Sequence, residues 1–221
     1  MDTLNTPIGD IARDQPSSTR VFLRHKLDFC CGGRRTLREA CEKAGLDADK
    51  VIAELSEAAA TTPAENWQER SSAQLVSHIV ARYHETLRRD IPMLIDAARK
   101  VERVHADKPA VPAGLAEELV EFWTEMQQHM MKEERVLFPM LATGVHGTQV
   151  YMPVRVMEHE HDEQSVHLAR IRELTGDLQI PPHACATWRA LYSGLEVIEA
   201  ELMEHIHLEN NVLFPRASGT V

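Results

Sequence analysis

The chain has 221 residues, of which 43% are hydrophobic and 26% charged, and its formal net charge is −10 at pH 7. These values fit one globular core, either alone or with a small extra domain, and the negative charge argues against nucleic acid or an anionic membrane surface as a partner. No apolar run reaches the roughly 18 residues of a membrane span, and the N-terminus lacks the pattern of a secretory signal. Four cysteines are too few for a disulfide framework, so we expect a reducing, cytoplasmic setting.

Residues 1–60 are predicted to form a small helical domain. Thr36 and Glu39 have the spacing of a capping box, so a helix should begin directly after the Cys-Cys-Gly-Gly loop at residues 30–33. Another helix start is predicted at Asp47. The composition then shifts to Ala, Thr and Pro, which indicates a linker at residues 61–70 that would allow the domain to move.

Residues 71–221 show long helical periodicity. Ser71 and Gln74 form a second candidate capping box, and four segments follow in which apolar residues recur at steps of three and four. Loops near residues 108–114, 144–147 and 181–182 separate these segments. Because no stretch shows sustained alternation with a period of two, the pattern predicts an all-α fold, with an antiparallel four-helix bundle after the small helical domain.

Two stretches of the bundle region read almost alike. Residues 129–139 are HMMKEERVLFP and residues 205–215 are HIHLENNVLFP, so each has a His four residues before a Glu and ends in Leu-Phe-Pro. Residues four apart lie one turn apart on the same helix face, where an imidazole and a carboxylate can bind a metal together. A further His, His84 or His161, precedes each stretch by 45 or 44 residues. Each half of the region is therefore one helix with a His and a second helix with His-x3-Glu.

Six polar residues thus lie on the apolar stripes that should face the bundle core. A buried carboxylate without a partner is costly, and two of them close together repel each other. Two divalent cations remove both problems if each Glu bridges the ions. The predicted metal ligands are His84, His129, Glu133, His161, His205 and Glu209. The other eight His residues are out of register with these positions or fall in other predicted segments.

The spacing alone leaves the metal open. No cysteine lies on the stripes, which argues against iron–sulfur ligation, and mixed nitrogen and oxygen ligands suit Fe, Mn or Zn. With a bridging oxo or hydroxo group, four protein ligands per ion would leave a position for a small molecule. Glu125 and Glu201, each four residues before a ligand His, are either partners of the second imidazole nitrogen or solvated side chains. Glu134, Glu160 and Asp162 are further candidates that no pattern distinguishes.

The bundle region resembles hemerythrin-like di-iron domains. Together with residues 28–33, DFCCGG, and residues 100–109, KVERVHADKP, the whole chain is similar to the repair-of-iron-centres family of ScdA-type proteins. The resemblance implies a non-haem protein with two iron ions that repairs iron–sulfur clusters damaged by nitrosative or oxidative stress. It implies the same six ligands with both Glu bridging, damaged iron–sulfur proteins as partners, and NO as a small-molecule ligand. An oxygen-carrying hemerythrin has one more His, so the resemblance favours an open iron over O2 carriage.

Cys30 and Cys31 permit two interpretations. Adjacent cysteines rarely pair because the bridge is strained, while the predicted helix N-terminus and the nearby Arg34 and Arg35 could stabilise their thiolates. The pair is then a reactive dithiol that meets NO, iron or a partner's cluster, as the resemblance favours. Alternatively, the Cys-Cys-Gly-Gly motif only forms a tight turn. We expect Cys41 and Cys185 to be ordinary buried thiols.

Three functions stay open at the level of the sequence. The first is cluster repair by iron donation or NO removal. The second is a di-iron centre that reduces NO to N2O, which would make the protein an enzyme, or that sequesters NO and lowers its cytoplasmic level. The third is a sensor whose di-iron state controls docking of the N-terminal domain on a partner. A homodimer is compatible with all three.

Overall fold

The computed structural model describes residues 2–61 and 65–218 of the chain. Its first part contains four short helices, which are α1 (Ile8–Asp14), α2 (Thr19–Arg24), α3 (Leu37–Ala44) and α4 (Ala48–Thr61). Within the described ranges no strand forms, and an isolated bridge joins Pro7 to Thr36. The predicted all-α fold is confirmed. None of the helices described is long and apolar enough to cross a membrane.

The capping signals read from the sequence fix the ends of α3 and α4. The Thr36 hydroxyl accepts a hydrogen bond from the backbone N–H of Glu39, and the Glu39 carboxylate accepts one from the backbone N–H of Thr36. Gly45 ends α3 in the left-handed conformation, with φ of 67°. The Asp47 carboxylate accepts from the backbone N–H of Asp49 at 3.1 Å in the first turn of α4. Both predicted helix starts are therefore confirmed.

Four long helices follow, and three of them contain a π-helical segment. They are α5 (Ser72–Ile79, π segment Val80–His84, Glu85–Val104), α6 (Leu115–Lys132, π segment Glu133–Leu137, Phe138–Ala142), α7 (Thr148–Leu174) and α8 (Ala186–His207, π segment Leu208–Leu213, Phe214–Ser218). The Ser71 and Gln74 capping box opens α5 as predicted. Helix α5 packs between α6 and α8, and α7 packs on α6.

The apolar core of the bundle is divided into two clusters by a polar layer. One cluster contains Leu87, Met130 and Ile206, and the other contains Tyr83 and Leu137. Along α5 the change from one cluster to the other occurs between Tyr83 and Leu87, and along α6 between Met130 and Leu137. His84 and Glu133 lie in these two intervals, and His129 directly precedes the second one. The fold therefore places a buried polar layer across the middle of an otherwise apolar bundle.

The N-terminal helices dock on the bundle near this layer. The Asn211 side chain donates to the carbonyl of Phe29 at 3.3 Å, and the Asn210 side chain donates to the carbonyl of Cys30 at 3.4 Å. Met203 of α8 packs against the apolar core of the N-terminal helices. The Cys-Cys-Gly-Gly loop is thus attached to the last helix of the bundle through two consecutive asparagines.

Part of the predicted linker is held in place. Helix α4 extends to Thr61, residues 62–64 lie outside the described residues, and Trp67–Glu69 forms a 3-10 turn. Arg216 donates to the carbonyl of Trp67 at 2.5 Å, and Gln68 donates to the carbonyl of Arg13 at 3.0 Å. The described end of the linker therefore contacts both the bundle and the N-terminal helices. The exact domain limits stay a prediction.

Candidate metal centre

The structure brings the six predicted ligands together in the polar layer. Each of the four long helices contributes at least one of them, and each of these residues is at most 1% exposed. They are His84 on α5, His129 and Glu133 on α6, His161 on α7, and His205 and Glu209 on α8. Such burial of four imidazoles and two carboxylates needs compensating charge or hydrogen bonds.

The six side chains form two groups of four that share both carboxylates. One group consists of His84, Glu133, His205 and Glu209, and the other of His129, Glu133, His161 and Glu209. The two imidazole Nε2 atoms of the first group lie 3.1 Å apart, and those of the second lie 3.2 Å apart. Each group therefore points two nitrogen atoms and two carboxylates at one small volume.

Each carboxylate reaches one imidazole of each group. Glu133 places Oε2 3.4 Å from Nε2 of His84 and Oε1 3.4 Å from Nε2 of His129. Glu209 does the same for the other two imidazoles, with Oε1 2.9 Å from His205 and Oε2 3.1 Å from His161. The two glutamates therefore have the positions that bridging ligands between two ions require.

The chemistry of this layer fits two cations. Both carboxylate oxygens of Glu133 and Oε2 of Glu209 are buried and have no hydrogen-bond partner among the described residues. Two nitrogen atoms bound about 2.1 Å from one ion at a right angle lie about 3.0 Å apart, close to the separations within each pair of imidazoles. Cations would supply the partners that these oxygens lack, so the residues present suit a dinuclear site with mixed nitrogen and oxygen ligands.

Two of the four imidazoles have a raised pKa next to the carboxylates. Burial alone would lower the pKa of His84, but its contacts with the Glu133 and Glu134 carboxylates outweigh it and raise that pKa to about 9. Burial likewise opposes the charge of His161, and its contact with Glu209 raises the pKa to about 9. Each carboxylate therefore favours the charged form of one imidazole, whereas burial lowers the pKa of His205.

Comparison with known proteins identifies the family. Residues 75–217 match the hemerythrin HHE cation binding domain, and residues 4–59 match ScdA_N, a domain of unknown function (DUF542). The chain is 49% identical over 211 residues to the iron-sulfur cluster repair protein YtfE of Cronobacter sakazakii, covering 96% of this chain and 95% of that protein. It is 48% identical to the YtfE protein of Yersinia pseudotuberculosis, with 98% of each chain covered, and 47% identical to that of Dickeya chrysanthemi, with 95% of each covered.

The chain belongs to the hemerythrin HHE family. The predicted family resemblance is confirmed, and it extends to the N-terminal helices through the ScdA_N match. In this hemerythrin HHE chain, the two groups of four residues described above lie within the part that matches the cation-binding domain. The assignment of each ligand rests on the geometry of this structure and stays a prediction.

The second nitrogen of three imidazoles in this HHE domain contacts a residue from a neighbouring helix. The contacts join Nδ1 of His84 to Glu134 at 2.6 Å, Nδ1 of His129 to Glu160 at 2.9 Å, and Nδ1 of His161 to Asn210 at 2.8 Å. Such contacts fix the ring orientation and direct Nε2 toward the carboxylates. Among the described residues, none partners Nδ1 of His205.

The acids suggested by spacing along the same helix do not take this role. Glu125 contacts His167 at 3.1 Å, and Glu201 pairs with Arg82, so neither touches a predicted ligand. The acids that contact the imidazole of a predicted ligand are Glu134 and Glu160. Glu134 directly follows a predicted ligand in the sequence, and Glu160 directly precedes one. Adjacent residues on a helix point in directions about 100° apart, so each of these acids faces the neighbouring helix.

Both acids are held as carboxylates. The hydrogen bond with His84, helped by Arg88 against burial, lowers the pKa of Glu134 to about 2. Burial opposes the charge of Glu160, but its hydrogen bonds with His129 and Lys132 outweigh it and lower the pKa to about 2. We expect Glu134→Gln and Glu160→Gln each to weaken metal binding by about 10–100-fold, because the imidazole loses its charged acceptor.

Competition with a chelator of known affinity would measure this loss. Glu125→Gln is the matched control, since it removes a carboxylate of α6 that touches no predicted ligand. Affinities of Glu134→Gln and Glu160→Gln equal to that of the control would contradict an orienting role.

The repeated Leu-Phe-Pro tails provide aromatic contacts to the centre. The ring of Phe138 stacks on His84 at a centroid distance of 5.6 Å, and Phe214 stacks on His161 at 6.0 Å. Each Phe belongs to a His-x3-Glu motif and packs on the His contributed by the preceding helix. Each repeat therefore provides the predicted ligands in its first turns and, in the following turn, a phenylalanine that packs on the His of the preceding helix.

Cys30 and Cys31 lie beside the centre. Both thiols are free, their Sγ atoms are 3.7 Å apart, and Cys31 Sγ donates to the carbonyl of His161 at 3.4 Å. The hydrogen bond between the two thiols, together with burial, raises the pKa of Cys30 well above its ordinary value. The same contact lowers the pKa of Cys31. The loop thus places one thiol in contact with the backbone of a predicted ligand.

Cys185 differs from the ordinary buried thiol that the sequence suggested. It is half-buried at the N-terminus of α8, and its Sγ lies 3.2 Å from Nε2 of His105. Hydrogen bonding from the backbone of Trp188 and from His105 lowers its pKa to about 7. Cys41 is buried as expected, and burial raises its pKa. Sequence alone could not find the shift, because His105 and Cys185 are 80 residues apart.

Alkylation at Cys185 should therefore depend on pH near neutrality. Below pH 7 the thiol is protonated and slow, and above pH 7 the thiolate dominates, so we expect the rate with iodoacetamide to rise with a midpoint near pH 7. Peptide-resolved mass spectrometry would follow each cysteine, with Cys41 as the slow control. His105→Ala should move the midpoint upward, and an unchanged midpoint would contradict the role of His105.

Proposed function

We propose that this chain repairs iron–sulfur clusters damaged by nitrosative or oxidative stress, in the cytoplasm, using two iron ions bound in the polar layer. Its relatives at 47–49% identity over nearly their full length are named iron-sulfur cluster repair proteins. The observation that carries the proposal is the pair of buried groups of four that share Glu133 and Glu209. A target cluster that has lost iron is the acceptor, and iron is the cargo.

In this proposal each group of four residues holds one iron ion. His84 and His205 would bind the first ion, His129 and His161 the second, and the carboxylates of the two shared glutamates would bridge them. Iron in these positions supplies both exchangeable metal and redox chemistry. The protein contributes a prearranged ligand set, since Glu134, Glu160 and Asn210 already orient three of the rings.

The Cys-Cys-Gly-Gly loop has a position suited to transfer. A cavity of about 230 Å³ is lined by Cys30, Cys31, Arg34, Asp162 and Asn210, and it adjoins the contact between Cys31 and the backbone of His161. Both cysteines are therefore accessible from a cavity and next to the predicted centre. This placement favours the reactive-dithiol interpretation over a tight turn alone.

Repair can be tested with a [4Fe–4S] enzyme that NO has inactivated. We expect the iron-loaded protein to restore its activity without added iron, and the iron gained by the enzyme to equal the iron lost by the protein. Glu133→Gln, reconstituted in parallel, should restore far less because it loses a bridging charge. Equal recovery with metal-free protein would refute iron donation.

Binding or reduction of NO is the second candidate function. Four protein ligands per ion leave coordination positions free, and the shared carboxylates keep the two ions adjacent, so two NO molecules could bind side by side. Anaerobic addition of NO to the reduced protein separates the outcomes. N2O released over many turnovers would indicate an enzyme, and NO retained in proportion to iron would indicate sequestration. If NO is neither reduced nor retained, this candidate function is refuted.

A further inference from the structure

A second cluster of potential metal ligands lies outside the polar layer, in the loop that follows α2. Asp28, Cys30 and Cys31 each offer a donor atom, and these three atoms lie within 4.8 Å of one another. The Asp28 carboxylate accepts a hydrogen bond from the backbone N–H of Cys31 at 3.0 Å, and its Oδ1 is 3.3 Å from Cys30 Sγ. The loop thus folds its carboxylate back over the two thiols.

The two glycines of the motif allow this folding. A Cβ on Gly32 would lie 2.7 Å from Oδ2 of Asp28, so a side chain there would push the carboxylate away from the thiols. A Cβ on Gly33 would lie 2.6 Å from the carbonyl of Phe29. The Cys-Cys-Gly-Gly sequence therefore does more than turn the chain, since it keeps the carboxylate and both thiols converging.

The spacing of the donors fits a single tetrahedral cation. Two sulfur atoms about 2.3 Å from one such ion lie about 3.8 Å apart, and the Sγ atoms of Cys30 and Cys31 are separated by 3.7 Å. A disulfide would need about 2.05 Å, and a bridge between adjacent cysteines is strained. A sulfur and a carboxylate oxygen on the same ion would lie about 3.6 Å apart, near the 3.3 Å between Cys30 Sγ and Asp28 Oδ1.

Space for a fourth ligand adjoins the cluster. Cys30 and Cys31 line the cavity of about 230 Å³ described above, and Asp28 and Cys30 line a second cavity of about 740 Å³ between the N-terminal helices and the bundle. Water or a donor atom of another molecule can therefore approach the same point as the three protein atoms. Catalytic and exchange sites typically keep such an open position.

We propose that Asp28, Cys30 and Cys31 form a third metal site, which binds one thiophilic divalent cation such as Zn²⁺ or Fe²⁺ and leaves a fourth position open to the cavity. Soft sulfur ligands select such cations over Mg²⁺ and Ca²⁺. The site is separate from the six residues of the polar layer, which contain no sulfur. It touches them through the hydrogen bond from Cys31 Sγ to the carbonyl of His161.

Cobalt(II) is a suitable probe, because sulfur-to-cobalt charge transfer reports thiolate ligation and cannot arise from His and Glu ligands. We expect the full-length protein, purified under anaerobic and reducing conditions, to bind one cobalt ion per chain with this absorption. Cys31→Ala should abolish the absorption, and Asp28→Asn should weaken cobalt binding at least tenfold. Cys41→Ala and Cys185→Ala should leave both unchanged.

Circular dichroism of the same variants tests whether they fold normally. Cys31 is half-buried and Asp28→Asn preserves size and shape, so far-UV circular dichroism should match the parent for both variants. Cobalt bound without sulfur charge transfer, or full charge transfer in Cys31→Ala, would overturn the site. Unchanged cobalt affinity in Asp28→Asn would overturn the role assigned to the carboxylate. Because the readout is sulfur-specific, these outcomes do not depend on whether the polar layer donates iron.

Discussion

Glu133→Gln is expected to destabilise the metal-loaded protein more than the metal-free protein. In the metal-free protein Glu133 lies 3.4 Å from the imidazoles of His84 and His129 and helps to raise the pKa of His84, so removing its charge should lower the free energy of unfolding. The metal-loaded protein loses a bridging ligand to both ions. A 100-fold loss of affinity lowers its free energy of unfolding by about 2.7 kcal/mol when metal is in excess.

Urea unfolding of both forms, with metal content measured in the same samples, tests this difference. Glu163→Gln is the matched control, because Glu163 is an exposed carboxylate of α7 only two residues from a predicted ligand. This control should not measurably change the free energy of unfolding of either form. Full metal retention by Glu133→Gln would refute its assignment as a bridge.

Gly33→Ala is expected to give the second large effect, in the N-terminal helices. The added Cβ would lie 2.6 Å from the carbonyl of Phe29 and 3.1 Å from the Cα of Gly9, and both neighbours are backbone atoms that cannot rotate away. The carbonyl of Gly33 also accepts a hydrogen bond from the backbone N–H of Gly9 at 2.9 Å. Overpacking of this kind lowers the free energy of unfolding by about 2–3 kcal/mol.

Gly45→Ala separates this clash from the usual cost of replacing glycine. Gly45 has a φ of 67° and nothing within 4 Å of an added Cβ, so only backbone strain of about 1 kcal/mol is expected. Amide hydrogen exchange of the N-terminal helices would compare the two variants. A loss of protection in Gly33→Ala no larger than in Gly45→Ala would show that the loop can relax around the new methyl group.

The sequence indicated which face of each helix carries the six residues of the polar layer, because helical periodicity is a local property. His129 and Glu133 share a helix face by spacing alone, and the apolar stripe shows that this face points to the core. The partners of the second imidazole nitrogens were harder to predict. Glu134 and Glu160 act across helix pairs, so their roles depend on how far each helix is rotated against its neighbour.

The different contacts made by the two repeats could also be identified only from the structure. Asn210 stands where the first repeat has Glu134, and both residues contact the Nδ1 of the His on the preceding helix. An amide also has an N–H donor, which Asn210 gives to the carbonyl of Cys30. A carboxylate could not make that second contact. The second repeat has therefore kept the role of the first and added attachment of the N-terminal helices, a distinction that no local pattern indicates.

Because of the π segments, the addition or loss of one residue in three of the helices would change which side chains face the polar layer. Each is equivalent to an α-helix with one residue inserted, and an α-helix turns by about 100° per residue. Deleting one residue from Glu133–Leu137 would let that segment return to α-helix and would rotate the following turn by about this angle. Phe138 would then face away from His84. In this bundle, a one-residue deletion at such a segment should be more harmful than most substitutions, and homologous chains should preserve the number of residues between ligand and ring.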